Sequence, residues 1–136
     1  AHQINHIIEG LSVTRHFKAH IEAFLHIQYL NRITPTAELI GSVNCILREE
    51  RQLVGENTEG KAVLDALRRR VDLTGKQVVL FGAGRIARAI AVEMALAKVA
   101  ALTIVNRTGA SGRHLVDLLA NRMGASASLV VWDGEY

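Results

Sequence analysis

Two short segments, each directly after an apolar run, combine glycine with polar and basic residues. The sequence GAGRIA at 82–87 follows QVVLF at 77–81, and NRT at 106–108 follows ALTIV at 101–105. Glycine at the first and third positions of GAGRIA permits a tight turn and close approach of a diphosphate, and the final alanine allows a helix to pack against the strand. The predicted cofactor-binding residues are Gly82, Ala83, Gly84, Arg85, Ile86, Ala87, Asn106, Arg107 and Thr108.

The second segment predicts which dinucleotide is bound. NAD sites usually place Asp or Glu about 20 residues beyond the glycines, on the ribose 2′-hydroxyl. Asn106 and Arg107 stand there instead, and a guanidinium can bind a 2′-phosphate that a carboxylate would repel. A lone GxGxxA is weak evidence, because glycine turns between strands and helices also occur for geometric reasons alone. The two segments together favour NADP over NAD.

The elements around these segments predict a parallel sheet. The run 77–81 is β-branched and apolar, as expected for a strand buried on both faces. A helix over 85–99, a strand over 101–105, a helix over 111–123 ended by Gly124 and a strand over 129–132 follow. This βαβαβ order is half of a Rossmann-type dinucleotide-binding domain, so the fold class is α/β with a parallel sheet.

Shorter elements are predicted for the first half of the chain. Residues 10–14 form a strand or turn and 16–29 an amphipathic helix, and residues 31–33 interrupt the pattern. Thr34 caps a short helix that starts with Pro35 and ends at Gly41. Further along we predict a strand over 42–47, a charged turn over 48–51 and a hairpin partner over 52–55.

A third helix is expected after Gly60, followed by a connection to the parallel sheet. Its buried stripe is predicted from apolar spacing, and residues 72–76, which contain Thr74-Gly75, read as a hinge or linker. The predicted stripe is Val63, Leu64, Leu67 and Val71.

Composition excludes several function classes. The 136 residues, 49% of them hydrophobic, suffice for a folded core, and the formal net charge is only +3. The one basic run, at 68–70, falls in the last turn of a predicted helix, where cations complement the dipole. Aromatic residues make up only 4% of the chain and are not interleaved with basic ones, so no nucleic-acid partner is expected.

Cysteine, histidine and hydropathy patterns give three further expectations. Cys45 is the only cysteine, which excludes an internal disulfide and fits a reducing, cytoplasmic compartment. His16 and His20 share a helix face, but no third and fourth ligands accompany them, so no metal site is predicted. No apolar run reaches the 18 or so residues of a membrane span, and the first residues are unlike a signal peptide.

Five ordered motifs resemble the shikimate dehydrogenase family, including its quinate/shikimate relatives. The resemblance extends from about Gly10 to about Leu119 and is far more specific than any one motif. It implies a partial substrate-binding domain over residues 1–60 and a partial NADP-binding domain over 61–136. The motifs are GLSVTRHFK, TPTAELIGSVNC, LVGENTEGKAVLDAL, GKQVVLFGAGRIARAIAVEMALA and TIVNRT.

The resemblance also implies roles for individual residues. Lys18, in the family's VTxPxK motif, takes the place of the catalytic lysine, and Glu59 takes the place of its acid partner. The implied reaction is reversible hydride transfer between NADPH and 3-dehydroshikimate, which gives shikimate in aromatic amino acid biosynthesis. The implied substrate-binding residues are Ser12, Thr14, Asn44 and Thr58.

Elementary chemistry agrees with these roles. Ketone reduction places negative charge on oxygen, which an ammonium such as that of Lys18 stabilises and protonates. A carboxylate such as Glu59 would hold the ammonium, with an attraction of roughly 4 kcal/mol at about 4 Å and an effective dielectric near 20. Neutral donors and acceptors suit a polyol. Taken singly, however, Lys18 could be a solvated helix residue, and Asn57-Thr58 could cap the next helix.

The departures from the family pattern leave other functions open. Arg15 and His16 replace an apolar residue and a proline, Glu59 replaces aspartate, and Arg85 is bulkier than usual. Complete members are roughly twice as long, so we expect either a fragment or a chain that completes its sheets by pairing with another copy as a homodimer. The alternatives to a shikimate dehydrogenase are a quinate/shikimate dehydrogenase of broader specificity and a non-catalytic NADP-binding piece.

Overall fold

The computed structural model describes residues 10–12 and 30–134 in two compact units, Ala1–Thr58 and Glu59–Tyr136. Each unit is described by itself. The helix predicted over 16–29 lies outside the described residues. None of the described helices has both the length and the apolar character needed to cross a membrane.

The first unit contains a four-stranded mixed sheet. In the order of the sheet, β1 (Gly10–Ser12) pairs antiparallel with β3 (Cys45–Glu49), which pairs antiparallel with β4 (Gln52–Glu56). The edge strand β2 (Arg32–Ile33) runs parallel to β4. The predicted hairpin is confirmed, and β2 forms where the sequence indicated only an interruption.

The predicted short helix is confirmed as α1 (Pro35–Ile40). The Thr34 hydroxyl accepts a hydrogen bond from the Ala37 amide at 3.2 Å, and Gly41 ends the helix with φ of 71°. These signals are local in the sequence, which is why they could be predicted. The helix packs its apolar side on one sheet face, in a cluster made by Ala37, Val43 and Ile46 with Leu30, Ile33 and Leu53.

The strand predicted over 42–47 begins later, at Cys45. The Ser42 amide still donates to the Ala37 carbonyl at 3.2 Å, so residues 42–44 leave the helix before the chain extends. As a consequence Asn44 precedes β3 instead of lying within it. The charged turn is also shorter than predicted: β3 continues through Glu49, and only Glu50 and Arg51 turn, with Glu50 at φ of 53°.

The second unit contains the predicted parallel sheet in the order β5-β6-β7. Apolar residues from three helices and all three strands form its core, with Leu102, Ile104 and Leu119 at most 1% exposed. The βαβαβ prediction is therefore confirmed. The elements are α2 (Glu59–Arg68), β5 (Gln77–Phe81), α3 (Arg85–Leu96), β6 (Ala101–Asn106), α4 (Gly109–Met123) and β7 (Ala127–Val131).

The prediction that β5 is buried on both faces is wrong for the described residues. Val78 and Leu80 pack into the core, but the side chains of Val79 and Phe81 are 57% and 70% exposed. Both parallel crossovers, through α3 and α4, are consecutive steps in one direction across the sheet. Right-handed crossovers in one direction place both helices on the same face, so the other face receives neither of them.

Two predictions around α2 are also wrong. Val71 does not belong to the buried stripe: the helix ends at Arg68, and Val71 is 40% exposed. Residues 72–76 do not form a linker, because they lie inside the second unit. Leu73 is buried in its core, and the Gly75 amide donates to the Lys98 carbonyl at 3.0 Å.

Glycine permits one close helix contact that a larger residue would disrupt. A Cβ placed on Gly60 of α2 would lie 2.3 Å from the backbone oxygen of Ala89 in α3. A Cβ on Gly112 of α4 would also meet an atom at 2.3 Å, but that atom is the terminal methyl Cδ1 of Leu129. Backbone can yield only by moving a whole helix, whereas a leucine side chain can rotate.

We therefore expect Gly60→Ala to lower the free energy of unfolding by about 1–3 kcal/mol, the usual cost of overpacking. Gly112→Ala, the matched control in another helix, should cost less, because both variants gain the same helix propensity of about 1 kcal/mol. Urea unfolding followed by circular dichroism measures both. Equal losses would contradict the assignment of the Gly60 contact to rigid backbone.

Candidate functional site

In the first unit, Asn44 and Thr58 form a hydrogen-bonded pair where β3 begins and β4 has ended. The Thr58 amide donates to Asn44 Oδ1 at 2.8 Å, and the Thr58 hydroxyl donates to the same oxygen at 3.3 Å. Since two donors engage Oδ1, the orientation of the amide group is determined, and Nδ2 is the atom that can donate to a ligand. Asn44 is half-buried and Thr58 is exposed, so the pair is accessible.

Buried hydrogen bonds hold the chain on both sides of this pair. The Asn44 amide donates to the Glu56 carbonyl at 3.0 Å. Asn57, only 1% exposed, donates from its side-chain Nδ2 to the Ser42 carbonyl at 3.1 Å. Both segments that carry the pair are therefore tied to each other before any ligand is bound.

Glu56 is a functional candidate that the sequence reasoning missed. Its side chain is buried, and Oε1 accepts hydrogen bonds from the Thr34 hydroxyl at 2.9 Å and the Asn57 amide at 2.8 Å. The available signal was an acidic residue at the end of a strand, directly before Asn57-Thr58. That signal is weak, since most glutamates at strand ends are solvated.

Cys45 lies opposite Glu56 in the antiparallel register of β3 and β4. Burial raises the pKa of the Cys45 thiol above its ordinary value, and the negative charge of Glu56 raises it further. The thiol therefore stays protonated at neutral pH. It acts as a small, half-buried packing group and not as a nucleophile.

The remaining predicted substrate and catalytic residues are only partly described. Ser12 is the last residue of β1 and pairs with Cys45 in the sheet, whereas Thr14 and Lys18 lie outside the described residues. Glu59 is half-buried and is the first residue of α2, directly after Thr58 in the chain. Among the residues that the structure describes, no three His, Cys, Asp or Glu side chains are grouped as a metal site would require.

In the second unit, GAGRIA forms the predicted turn between β5 and α3. Gly82 has φ of 103°, a conformation that favours glycine, and its amide donates to the Val105 carbonyl at 2.8 Å. Gly84 is the N-cap of α3 and makes no side-chain cap hydrogen bond, so the first amides of the helix remain available as donors. A Cβ at Gly84 would meet no atom within 4 Å, which leaves room for a ligand against the backbone.

The NRT segment follows β6 at the same edge of the sheet. Asn106 donates from Nδ2 to the Thr108 carbonyl at 2.8 Å, and the Asn106 carbonyl accepts from the Trp132 amide at 3.2 Å. Asn106 thus closes the loop on itself and ties it to the end of β7. The exposed Arg107 lies between the two bonded residues and presents its guanidinium to solvent.

These features suit a dinucleotide with an additional phosphate. In open parallel sheets, ligands bind outside the carboxyl ends of the strands, where the turn and the loop both lie. Helix amides with the positive end of the α3 dipole suit the diphosphate, and Arg107 suits a separate phosphate. Arg85 and Ile86 are exposed at the start of α3, with Ile86 58% exposed, so both are accessible from solvent.

Comparisons with known proteins identify relatives of the chain. The family model of shikimate / quinate 5-dehydrogenase matches residues 65–129. Over 125 residues the chain is 35% identical to the shikimate dehydrogenase (NADP(+)) of Desulforamulus reducens, covering 90% of this chain and 41% of that protein. The chain therefore spans about two-fifths of the length of this curated relative.

Solved structures resemble the chain over a similar range. The 5-ketofructose reductase of Gluconobacter sp. strain CHM43 superposes with a TM-score of 0.83 at 37% identity, covering 93% of this chain and 44% of that one. Shikimate 5-dehydrogenase from Listeria monocytogenes, in complex with shikimate and NAD, superposes with a TM-score of 0.79 at 30% identity. That match covers 91% of this chain and 43% of the other. The predicted resemblance to the shikimate dehydrogenase family and the α/β fold are confirmed.

The raised pKa of Cys45 can be tested by alkylation, because the chain has only one cysteine. At pH 8 the native thiol should react more slowly with iodoacetamide than the same thiol in denaturant, which titrates near 8.5. Glu56→Gln removes the charge that contributes to the shift, so the native rate should rise. Because the native pKa is the higher one, this thiol's contribution to stability is complete below about pH 8.5 and is lost above it.

Exposed Glu49 on the same hairpin, replaced by Gln, is the matched control and should leave the alkylation rate unchanged. A native rate equal to that of the unfolded protein would contradict the shift. An unchanged rate in Glu56→Gln would contradict the part assigned to the Glu56 charge.

Proposed function

We propose that the chain is the central part of an NADP-dependent shikimate dehydrogenase that interconverts 3-dehydroshikimate and shikimate. The single observation that carries the proposal is that the family's motifs build two separate polar sites. One is the Asn44–Thr58 pair, and the other is the glycine turn with Arg107. Residues 1–60 would form part of the substrate domain and residues 61–136 part of the NADP domain.

The cofactor residues have distinct tasks in this proposal. Amides from the turn at 82–84 and the start of α3 would bind the diphosphate, helped by the exposed Arg85. Arg107, beside Asn106 and Thr108, would bind the 2′-phosphate and so select NADP. When bound, the nicotinamide would supply or accept the hydride.

The substrate residues would hold a polyol by neutral hydrogen bonds. Asn44 would donate from Nδ2 to a ring hydroxyl, because its Oδ1 is engaged by Thr58. The Thr58 hydroxyl has a lone pair that can accept while its proton points at Asn44. Ser12 and Thr14 would add hydroxyl contacts. Neutral groups in fixed positions recognise hydroxyls without the desolvation cost of a charge.

Lys18 and Glu59 would handle the proton. In the reductive direction negative charge develops on the carbonyl oxygen, and the Lys18 ammonium would stabilise it and give up one proton to form the hydroxyl. In the oxidative direction the neutral amine would remove that proton. Glu59 would hold the amine in position and favour its charged form. The longer side chain of glutamate, compared with aspartate, requires the backbone to lie about one methylene further away.

A second candidate function is reduction of a ketose. The comparison that favours it is the TM-score of 0.83 to a 5-ketofructose reductase, against 0.79 to a shikimate 5-dehydrogenase. Both reactions convert a ketone into a secondary alcohol within a polyol, so the same lysine chemistry serves either. Shikimate and quinate carry a carboxylate that 5-ketofructose lacks. The unusual Arg15 and His16 next to the catalytic motif bear on this choice of substrate.

The compartment and the oligomeric state belong to the same proposal. A single cysteine, with a thiol that is held protonated, suits the reducing cytoplasm. The exposed apolar face of the parallel sheet, with Phe81 70% exposed, calls for a covering layer. The remainder of a longer polypeptide would supply that layer, or a second copy in a homodimer would.

Steady-state kinetics on the complete natural polypeptide test the function. We expect NADP-dependent oxidation of shikimate, with lower kcat/KM for quinate and for reduction of 5-ketofructose. Lys18→Ala should lower kcat by about 10²–10⁴-fold, the usual contribution of a general acid or base, with unchanged affinity for NADPH. The exposed Lys98, replaced by Ala, is the matched control. A preference for 5-ketofructose would select the second candidate, and an unaltered kcat in Lys18→Ala would reject the lysine's role.

Cofactor titration tests the role of Arg107. Binding followed by the fluorescence of Trp132, the only tryptophan, should be tighter for NADPH than for NADH. Arg107→Ala should weaken NADPH binding roughly tenfold or more, as expected for a charge-assisted hydrogen bond, and leave NADH binding unchanged. Exposed Arg69→Ala in the same unit is the control. Equal affinities of the unmodified protein for both cofactors would remove the argument for NADP.

A further inference from the structure

We propose that Glu56 is a positioning residue that sets the geometry of the Asn44–Thr58 pair for the substrate. This inference deepens the proposed function and rests on it. Glu56 itself would not touch the substrate or the cofactor. It would act through hydrogen bonds to the backbone on which the two binding side chains are placed.

The side chain of Glu56 joins two segments that are distant in sequence. Its Oε1 accepts from the Thr34 hydroxyl at 2.9 Å and from the Asn57 amide at 2.8 Å. Thr34 is the N-cap of α1, and Asn57 precedes Thr58. The carboxylate therefore anchors the backbone that leads out of β4 to the start of a helix on the neighbouring strand.

The main chain of Glu56 holds the other half of the pair. Its carbonyl accepts from the Asn44 amide at 3.0 Å, so one residue is bonded to the segments that carry Asn44 and Thr58. From there the Thr58 amide reaches Asn44 Oδ1 at 2.8 Å. The distance between the two binding side chains thus depends on the backbone conformation at residues 56–58.

Burial gives these bonds their weight. Glu56 is 7% exposed and Asn57 is 1% exposed, so water does not readily replace a lost partner. A buried carboxylate is retained only where donors offset its desolvation, and a buried amide without an acceptor costs about 1–3 kcal/mol. Removing the carboxylate would leave the Asn57 amide and the Thr34 hydroxyl to find other partners, which requires residues 57 and 58 to move.

A displacement of this kind affects substrate binding more than cofactor binding. The Nδ2 of Asn44 can donate to a hydroxyl only while Thr58 engages Oδ1, because otherwise the amide can turn over. Misplacement by about 1 Å can cost as much as 10²-fold where a ligand group must be held precisely. The glycine turn and Arg107 belong to the other unit and have no part in this network.

The test is steady-state kinetics of Glu56→Ala and Glu56→Gln in the complete natural polypeptide. Glu56→Ala should raise the KM for shikimate by about tenfold, while the KM for NADP changes by less than about twofold. Glu56→Gln keeps an oxygen that can accept both bonds, so its KM for shikimate should stay within about threefold of the unmodified protein. This rescue by the conservative variant separates an acceptor role from a role of charge.

Val54→Ala is the matched structural control. Val54 lies two residues earlier in β4, is fully buried and has no part in the network, so its truncation lowers the melting temperature without moving the pair. We expect its KM for shikimate to be unchanged. If Val54→Ala raises this KM as much as Glu56→Ala does, or if Glu56→Gln behaves like Glu56→Ala, the positioning role is overturned.

Failure of the inference can be told apart from failure of the proposed function. If the unmodified protein does not oxidise shikimate with NADP, the proposed function is wrong. If the unmodified protein is active and Glu56→Ala keeps the original KM for shikimate, only the role of Glu56 is wrong. Should Glu56→Ala fail to fold, Thr34→Ser and Thr34→Val replace it, with the serine variant expected to retain the KM and the valine variant to raise it.

Discussion

The candidate substrate site depends on the pairing of buried polar groups where β4 ends. The carboxylate of Glu56 and the amide of Asn57 are both almost inaccessible to water, and each is satisfied by a group from a distant segment. Because an unpaired buried polar group costs more than a paired one returns, these bonds specify one backbone path. Asn44 and Thr58 are attached to that path, so their geometry follows from it.

The second unit uses backbone hydrogen bonds for the same purpose. The parallel sheet brings three strand ends to one edge, where Gly82 is bonded to Val105 and Trp132 to Asn106. These bonds present the amides at the start of α3 beside the loop that carries Arg107. The right-handed crossovers that build this edge also leave the face with Val79 and Phe81 exposed. The order that suits a dinucleotide and the exposed apolar face therefore have one cause.

Local sequence signals predicted the elements that depend on local physics. Thr34, Pro35 and Gly41 delimited α1 correctly, because caps act within one turn. The alternation of apolar runs with helix patterns predicted the parallel sheet. Val71 was misassigned because apolar spacing continues past the residue at which the helix ends. Residues 72–76 were misassigned because glycine and threonine mark a turn equally well inside a unit and between two units.

The sequence by itself determined the α/β class, the glycine turn, the exposed Arg107 loop and the resemblance to shikimate dehydrogenases, since each rests on neighbouring residues or on ordered motifs. Only the tertiary structure decided which face of β5 is covered, that Oδ1 of Asn44 is engaged by Thr58, and that Glu56 joins Thr34 to Asn57. Those features join residues 14 to 23 positions apart or depend on which side the helices pack. No local pattern encodes such a contact, because it forms only when the strands are brought together.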